Sequence, residues 1–496
     1  PTMNDVPPFD KEEVRHAIGN MKNGKAPGPD RIEVEVLKAS YEVIHKELRD
    51  FNACLRCGSF PRIWKQGSIR TLLKDADRDA TNLTSYRPIC LLSVMEKCLE
   101  KLLAERLRPV FMDSRESGFG FRKGRSTTDA ILVIREMVAG STDKYVLAIL
   151  FDIKTFDHVW WPSILHRLRE RKCPRNLFLF VADYLRGRTS LVGKHEVVSK
   201  NATRGCPQGS ILGPSLWNFV FDDLLLTLER RAVRAIAYAY DLLMNNRTQI
   251  ETAAQTAIDI IEEKLTLSAQ KTEMILLKDA LNPNRPPTIR LHGRQIRMKA
   301  NVRYLGVYWD TGLTIMMHVR RIKARSTEKF DALAVIVKRD WGLDHECLLT
   351  LYKGIFIPVA TYAAASWCDK LNKSGLRILE QAQRPLIKIT KAYRTTSADA
   401  LPVVAVVPAI VLKIKEQRAM HICNNLQEAR MALLAEWQRR WDLSTRGKMK
   451  YNIFSDMEER LGCKWYLTIY ITQFLTGHGN FADKLAKFEL RRSKLC

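Results

Sequence analysis

The sequence predicts an α+β chain in which a small antiparallel sheet is embedded among many helices. Three observations carry this. The run Tyr-Val-Leu-Ala-Ile-Leu-Phe-Asp at 145–152 is apolar on both faces and ends in a carboxylate, the pattern of a strand covered on both sides. The run Ala-Ile-Ala-Tyr-Ala-Tyr-Asp-Leu-Leu-Met at 235–244 leads small and apolar residues into one acid, Asp241, and apolar residues out of it. That is the composition of a tight β-hairpin. Residues 311–440 show helical periodicity with dispersed Lys and Arg. An aspartate closing a buried strand has no packing reason to be there, so Asp152 and Asp241 are the first candidate site residues.

A chain of 496 residues has room for two to four domains. Its 46% hydrophobic content supports a large core and excludes global disorder. With 80 basic against 54 acidic residues, the net charge is +26 and the pI about 9.7. Such an excess suits a polyanionic partner, most simply nucleic acid, with a generic basic protein as the plain alternative. Eleven scattered cysteines fit a reducing compartment better than a disulfide framework. Cys54 and Cys57 form a lone C-x-x-C, read as one helical turn rather than a zinc site. The most apolar run, 403–412, is short and contains Pro408, so it is read as buried, and no signal peptide or membrane span is expected.

Taken in order, the N-terminal stretch places Val14, Ala17, Ile18 and Met21 on one helical face. Asn-Gly-Lys-Ala-Pro-Gly-Pro-Asp at 23–30 cannot continue a helix and reads as a structured turn. Residues 69–74 read as a strand, and Ser-Tyr-Arg-Pro-Ile at 85–89 as a turn leading to a helix. Ser93 and Glu96 make a capping-box pattern, with Val94, Cys98, Leu102 and Leu103 on the helix's apolar face. Lys74 and Arg87 pair a point charge with a guanidinium fork, a set suited to phosphate oxygens, although surface charge explains either alone. At 118–127, Gly-Phe-Gly-Phe-Arg-Lys-Gly-Arg-Ser-Thr sets Arg122, Lys123 and Arg125 among glycines that let backbone approach a ligand. Arg-Gly-Cys-Pro-Gln-Gly-Ser-Ile-Leu-Gly-Pro at 204–214 is a turn entering a helix at Pro214. Residues 384–394 alternate cations with apolar residues, as a helix against a duplex backbone or an amphipathic core helix would.

These strings, in this order, resemble the reverse transcriptases of non-LTR (LINE-type) retrotransposons, in the clade inserted into insect ribosomal or telomeric DNA. Tyr-Ala-Tyr-Asp-Leu-Leu at 238–243 is similar to the family's Tyr-Ala-Asp-Asp-Leu-Leu box. Gln-Phe-Leu-Thr-Gly-His-Gly at 473–479 resembles the string that precedes a zinc knuckle in those elements. The resemblance implies a right-hand polymerase fold. It divides the chain into an N-terminal extension (1–53), fingers and palm (54–310), helical thumb and connection (311–440) and a C-terminal region cut before the knuckle (441–496). Starting at Pro1 suggests a fragment of a longer polyprotein.

The implied site follows the same resemblance. Asp152 and Asp241 would hold two Mg²⁺ ions, with Mn²⁺ as a substitute. Lys74 and Arg87 would meet the nucleotide triphosphate, and Phe156 would be the steric gate against a ribose 2′-OH. Gln208 and Gly209 would contact substrate, and Lys271 would offset charge on the leaving pyrophosphate. Arg122, Lys123 and Arg125 would touch template. The implied partners are an RNA template, a DNA primer or target and dNTPs, with no membrane, acting in the nucleus.

Three positions depart from the family pattern. Tyr240 stands where the family has the first aspartate of its pair. The segment after Asp152 reads Ile-Lys-Thr-Phe-Asp, one residue shorter than usual. Arg31 stands where the family has glycine. A neutral phenol of pKa about 10 is a poor replacement for an anionic ligand, so impaired polymerisation is expected. The alternative is a nucleic-acid-binding relic without activity.

Overall fold

In a computed structural model, the structure describes residues 4–44, 49–74, 78–111, 118–142, 145–153, 159–193, 197–231, 233–238, 241–246, 250–265, 267–279, 287–332, 343–444, 453–463, 467–476 and 481. They form two compact units, one of residues 1–126, 147–274 and 285–297, the other of 127–146, 275–284 and 298–496. The described strands are, in chain order, β1 (Gln66–Leu73), β2 (Tyr86–Leu91), β3 (Tyr145–Asp152), β4 (Thr189–Val192), β5 (Val198–Asn201), β6 (Arg234–Tyr238), β7 (Asp241–Asn246), β8 (Glu273–Asp279), β9 (Arg290–Leu291), β10 (Arg294–Gln295), β11 (Asn301–Tyr304) and β12 (Val307–Asp310).

The first unit opens with the helix Lys11–Gly19, started by Asp10 and Glu13 in a reciprocal capping box. Its buried face is Val14, Ala17 and Ile18, with Met21 beyond its end, as the periodicity predicts. The Pro-Gly-Pro turn then lies so close to the start of the helix Val94–Phe111 that a Cβ on Gly28 would sit 2.5 Å from Ser93 N. Asp30 accepts a hydrogen bond from the Ser93 hydroxyl, and Arg31 turns the chain with a φ of 58°.

One sheet of this unit runs β2-β1-β4-β5. Here the structure corrects the reading of 85–89 as a turn into a helix: Ser85 closes a 3-10 turn, residues 86–89 begin β2, antiparallel to β1, and the helix starts only at Val94. Pro88 is tolerated because β2 is the sheet's edge, where a missing N–H breaks no ladder. A second correction concerns Glu96. Ser93 does cap, accepting from Met95 N at 3.2 Å, but Glu96 is fully buried and paired with Arg188 instead of closing a capping box. Val94, Cys98, Leu102 and Leu103 are buried as expected.

The second unit holds the helix Thr127–Ala139 and the β11–β12 hairpin. Leu305 (φ 45°) and Gly306 (φ 85°) form a two-residue turn with positive φ at both positions, which matches the twist of paired strands. The stretch His345–Ser366 is long and apolar enough to cross a membrane by length and composition. Within this unit it buries Leu348, Tyr352 and Phe356, and Ala363 breaks it in a left-handed turn.

The run 403–412 is buried as predicted, split between the helices Ala400–Ala405 and Ile410–Cys423. It packs with Trp437, Trp441 and Phe454 in one apolar cluster. The alternating stretch 384–394 does not form a long cationic helix. Leu386–Thr390 is one short helix, closed by left-handed Lys391, and it buries Leu386, Ile389 and Thr390.

Candidate active site

Strand β3 positions the site because its residues 146–151 are all buried. Such a run has to lie inside a sheet, and its polar end has to emerge at the sheet's margin. Within the first unit the sheet order is β6-β7-β3. β3 and β7 pair antiparallel from Leu147 opposite Asn246 to Asp152 opposite Asp241. On its other side Asp241 pairs with Tyr238 of β6. Opposed residues in such a ladder have Cα atoms about 4.5–5.5 Å apart. The two aspartates, remote in sequence, are therefore backbone neighbours. Ile153, just past Asp152, bridges to Leu267. This brings the turn carrying Lys271, whose N–H bonds to Ser268 O at 3.1 Å, to the same end of β3. Tyr240 and Phe156 lie outside the described residues.

The glycine-rich string at 118–125 lies along the outer edge of β6. Gly118 bridges to Ala237, and Phe119 N donates to Ala237 O at 2.8 Å. Its cations are used differently from one another. One guanidinium nitrogen of Arg122 reaches both carboxylate oxygens of buried Asp222, at 2.5 and 2.7 Å. Arg122 thus ties the string to the helix Gly213–Arg230. Arg125 lies over the ring of Phe119 at 5.0 Å. Lys123 is exposed.

The loop 204–213 is fixed at several points. Gly205 N donates to Val159 O at 2.8 Å, and Trp161 Nε1 donates to Gly205 O at 2.7 Å. Cys90 N of β2 donates to Gln208 O at 2.8 Å. Gly209 has φ 143°, and a Cβ there would lie 2.2 Å from Cys90 O, so only glycine fits. Among the described residues the Gln208 carboxamide has no hydrogen-bond partner, while its backbone is held. The same loop faces a small cavity of about 130 Å³ shared with Gly67, Pro88 and Cys90 of the β1–β2 sheet.

Arg87 lies on β2 opposite Leu72, and Lys74 N continues that ladder to Ser85 O at 2.9 Å. The two cations therefore sit on adjoining strands, toward the end of the ladder away from Cys90. Arg87 is exposed, and the Lys74 ammonium donates to Thr84 O at 2.9 Å.

Beneath the loop is a polar cluster that sequence reasoning missed. Glu100, fully buried, accepts from Tyr184 Oη and Ser210 Oγ, each at 2.7 Å, and from Ile211 N at 2.6 Å. Arg188 donates to Glu96 and lies 4.6 Å over the Tyr184 ring. Burial pushes the Glu96 carboxyl up to about 8 despite that guanidinium, and lifts the Tyr184 phenol well above its ordinary range. Two acids one helical turn apart on a helix that is otherwise apolar where buried were the available signal.

An antiparallel sheet that opposes two aspartates at a hairpin, in the same unit as a second sheet carrying Arg87, suits a right-hand polymerase. Residues 73–309 match the reverse transcriptase (RNA-dependent DNA polymerase) family. The chain is 32% identical to a 115 kDa protein of the type-1 retrotransposable element R1DM of Drosophila melanogaster, over 96% of this chain and 50% of that one. It is 30% identical to the retrovirus-related Pol polyprotein of the R1 element of Bradysia coprophila, over 99% and 53% of the two chains. Against the Pol polyprotein of element R1 4 of Nasonia vitripennis it is 30% identical, over 50% and 69%. The chain belongs to the reverse transcriptases of non-LTR retrotransposons. It spans about half the length of the first two relatives.

Proposed function

We propose that the chain is the polymerase part of a retrotransposon protein, built to copy RNA into DNA from a primer on chromosomal DNA in the nucleus. The observation that carries this is the register that sets Asp152 opposite Asp241. Reverse transcriptases depend on a divalent metal, and carboxylates contributed by two neighbouring strands are the hard oxygen donors Mg²⁺ takes. Asp152 and Asp241 would hold a pair of such ions. When bound, those ions activate the attacking oxygen and steady the leaving oxygens.

The chain's own residues do the rest. The Gln208–Gly209 loop, pinned to β2, orients the templating base and the incoming dNTP. Arg87 and Lys74 approach its phosphates, and Lys271 offsets charge on the departing pyrophosphate. Lys123 and Arg125 neutralise the template backbone. Phe156 excludes a ribose 2′-OH, with its register altered by the shortened segment. Tyr240 puts a neutral phenol in an anionic place, which weakens the chemical step. Each ~1.4 kcal/mol of lost transition-state stabilisation is a tenfold rate loss.

A second reading, nucleic-acid binding without polymerisation, is favoured by Tyr240 itself and by the +26 charge, which one lost carboxylate hardly changes. Extension of oligo(dT) on poly(rA) in Mg²⁺ and in Mn²⁺ separates the two. Slow templated extension supports the first. Tight, salt-sensitive binding with no product supports the second. Absence of binding contradicts both.

A further inference from the structure

The geometry points to Glu100 as a positioning residue: it fixes the Gln208–Gly209 loop and thereby sets how tightly a primed complex takes its matching dNTP. The inference rests on the polymerase reading above.

Glu100 has no exposure, and burying a carboxylate is costly unless its oxygens are fully hydrogen-bonded. If the site needed only packing, an apolar side chain of similar volume would serve at least as well. The donors around Glu100 are informative. Two of the three, the Ser210 hydroxyl and the Ile211 N–H, come from the loop immediately after Gly209. The third, Tyr184 Oη, lies 2.8 Å from Ser210 Oγ, so the two hydroxyls converge on the same carboxylate oxygen. Ser210 Oγ then accepts from Gly213 N at 2.9 Å, at the first residue of the next helix. The nearby cation, Arg188, donates to Glu96. Glu100 has as its direct partners the two hydroxyls and the Ile211 N–H.

The loop is thus clamped from opposite ends. On the Gln208 side the clamp is the β2 backbone at Cys90, and on the Ser210–Ile211 side it is the Glu100 carboxylate. What lies between is the Gln208 carboxamide, unpartnered among the described residues, and a glycine that tolerates no Cβ. Releasing the Glu100 end lets the loop pivot on Cys90, which moves Gln208 without disturbing the residues that hold the nucleic-acid backbone.

The test uses the full chain with an RNA template and a DNA primer ending in a 3′-dideoxynucleotide. Labelled template–primer retained against a heparin challenge is measured in Mg²⁺ while matched or mismatched dNTP is titrated. Glu100→Gln keeps both hydroxyl contacts on its oxygen but sets an NH₂ against the Ile211 N–H. It is expected to leave template–primer affinity within twofold and raise the half-saturating matched dNTP at least tenfold, narrowing the gap to mismatched dNTP. Ser210→Ala, which leaves Glu100 in place, shifts the same quantity in the same direction by less. Equal losses of template–primer and dNTP affinity, or a change confined to melting temperature, overturn the positioning role. If the unaltered chain shows no dNTP-dependent retention at all, the polymerase reading itself fails, and the inference with it.

Discussion

Asp152 is the last residue of β3 and Asp241 the first of β7, and the two are direct register partners. The strand order that produces this, β6-β7-β3, leaves β7 paired on both edges. A one-residue slip of either pairing would move the acid to the opposite face of the sheet, so the register of β7 against β3 and against β6 defines the site.

From that relationship, Asp152→Asn and Asp241→Asn should each lower affinity for Mn²⁺, read by electron paramagnetic resonance, by tenfold or more. The double variant should be little worse than either single one, because both remove the same shared site. Independent, additive losses would show that the two acids serve different ions or none.

Arg122 is predicted to matter for stability more than for binding. Asp222 is 4% exposed, and removing the Arg122 guanidinium breaks a charge-assisted pair at a buried carboxylate. Arg122→Ala should cost about 3–5 kcal/mol, the range for breaking a buried pair. Replacing both partners with apolar residues should recover most of that. Lys123→Ala should leave stability alone and lower the slope of RNA affinity against salt. Denaturant titration and binding isotherms at several salt concentrations check both.

Arg31 holds a left-handed backbone conformation, φ 58°, at a position where the family resemblance leads one to expect glycine. For a residue with a Cβ that conformation costs roughly 1–2 kcal/mol, partly offset by the chain entropy glycine loses on folding. Arg31→Gly should therefore raise the melting temperature of the first unit by about 2–4 °C. A fall in melting temperature would mean that the arginine side chain contributes more than its backbone costs.

His318 gives the second unit a pH dependence. It is 5% exposed, its Nδ1 accepts from Tyr308 N at 3.5 Å, and its buried Nε2 has no partner among the described residues. Burial pulls its pKa down to about 4. The unfolded chain takes up this proton below about pH 6.5 and the folded one only near pH 4. The contribution is therefore fully present above pH 6.5 and is lost as the pH falls through 4, an effect on the order of 3 kcal/mol. Melting curves across that window should flatten in His318→Phe. An unchanged slope would contradict the assignment.

Much of this was legible in the residues themselves. The buried strand ending in Asp152 and the hairpin opening at Asp241 follow from composition and period alone. What was not legible depended on partners distant in the chain. Pro88 hid an edge strand because nothing local shows which edge of β2 is free. Glu96 imitated a helix cap because Arg188 lies ninety-two positions away. Nothing near Arg122 in the chain showed that Asp222, a hundred positions on, is its partner. Glu100 carried no motif, and only its donors reveal what it holds.

The central claim is that Asp152 and Asp241 form a polymerase metal site whose defect is local to Tyr240 and the shortened segment after Asp152. Its most direct measurement is Mg²⁺-dependent extension of oligo(dT) on poly(rA) by the chain, by Tyr240→Asp, and by Tyr240→Asp with one residue inserted after Lys154. Extension should rise by at least tenfold at the first repair and again at the second, and Asp152→Asn in the doubly repaired chain should abolish it. No gain from the double repair, or extension that survives loss of Asp152, would contradict the account.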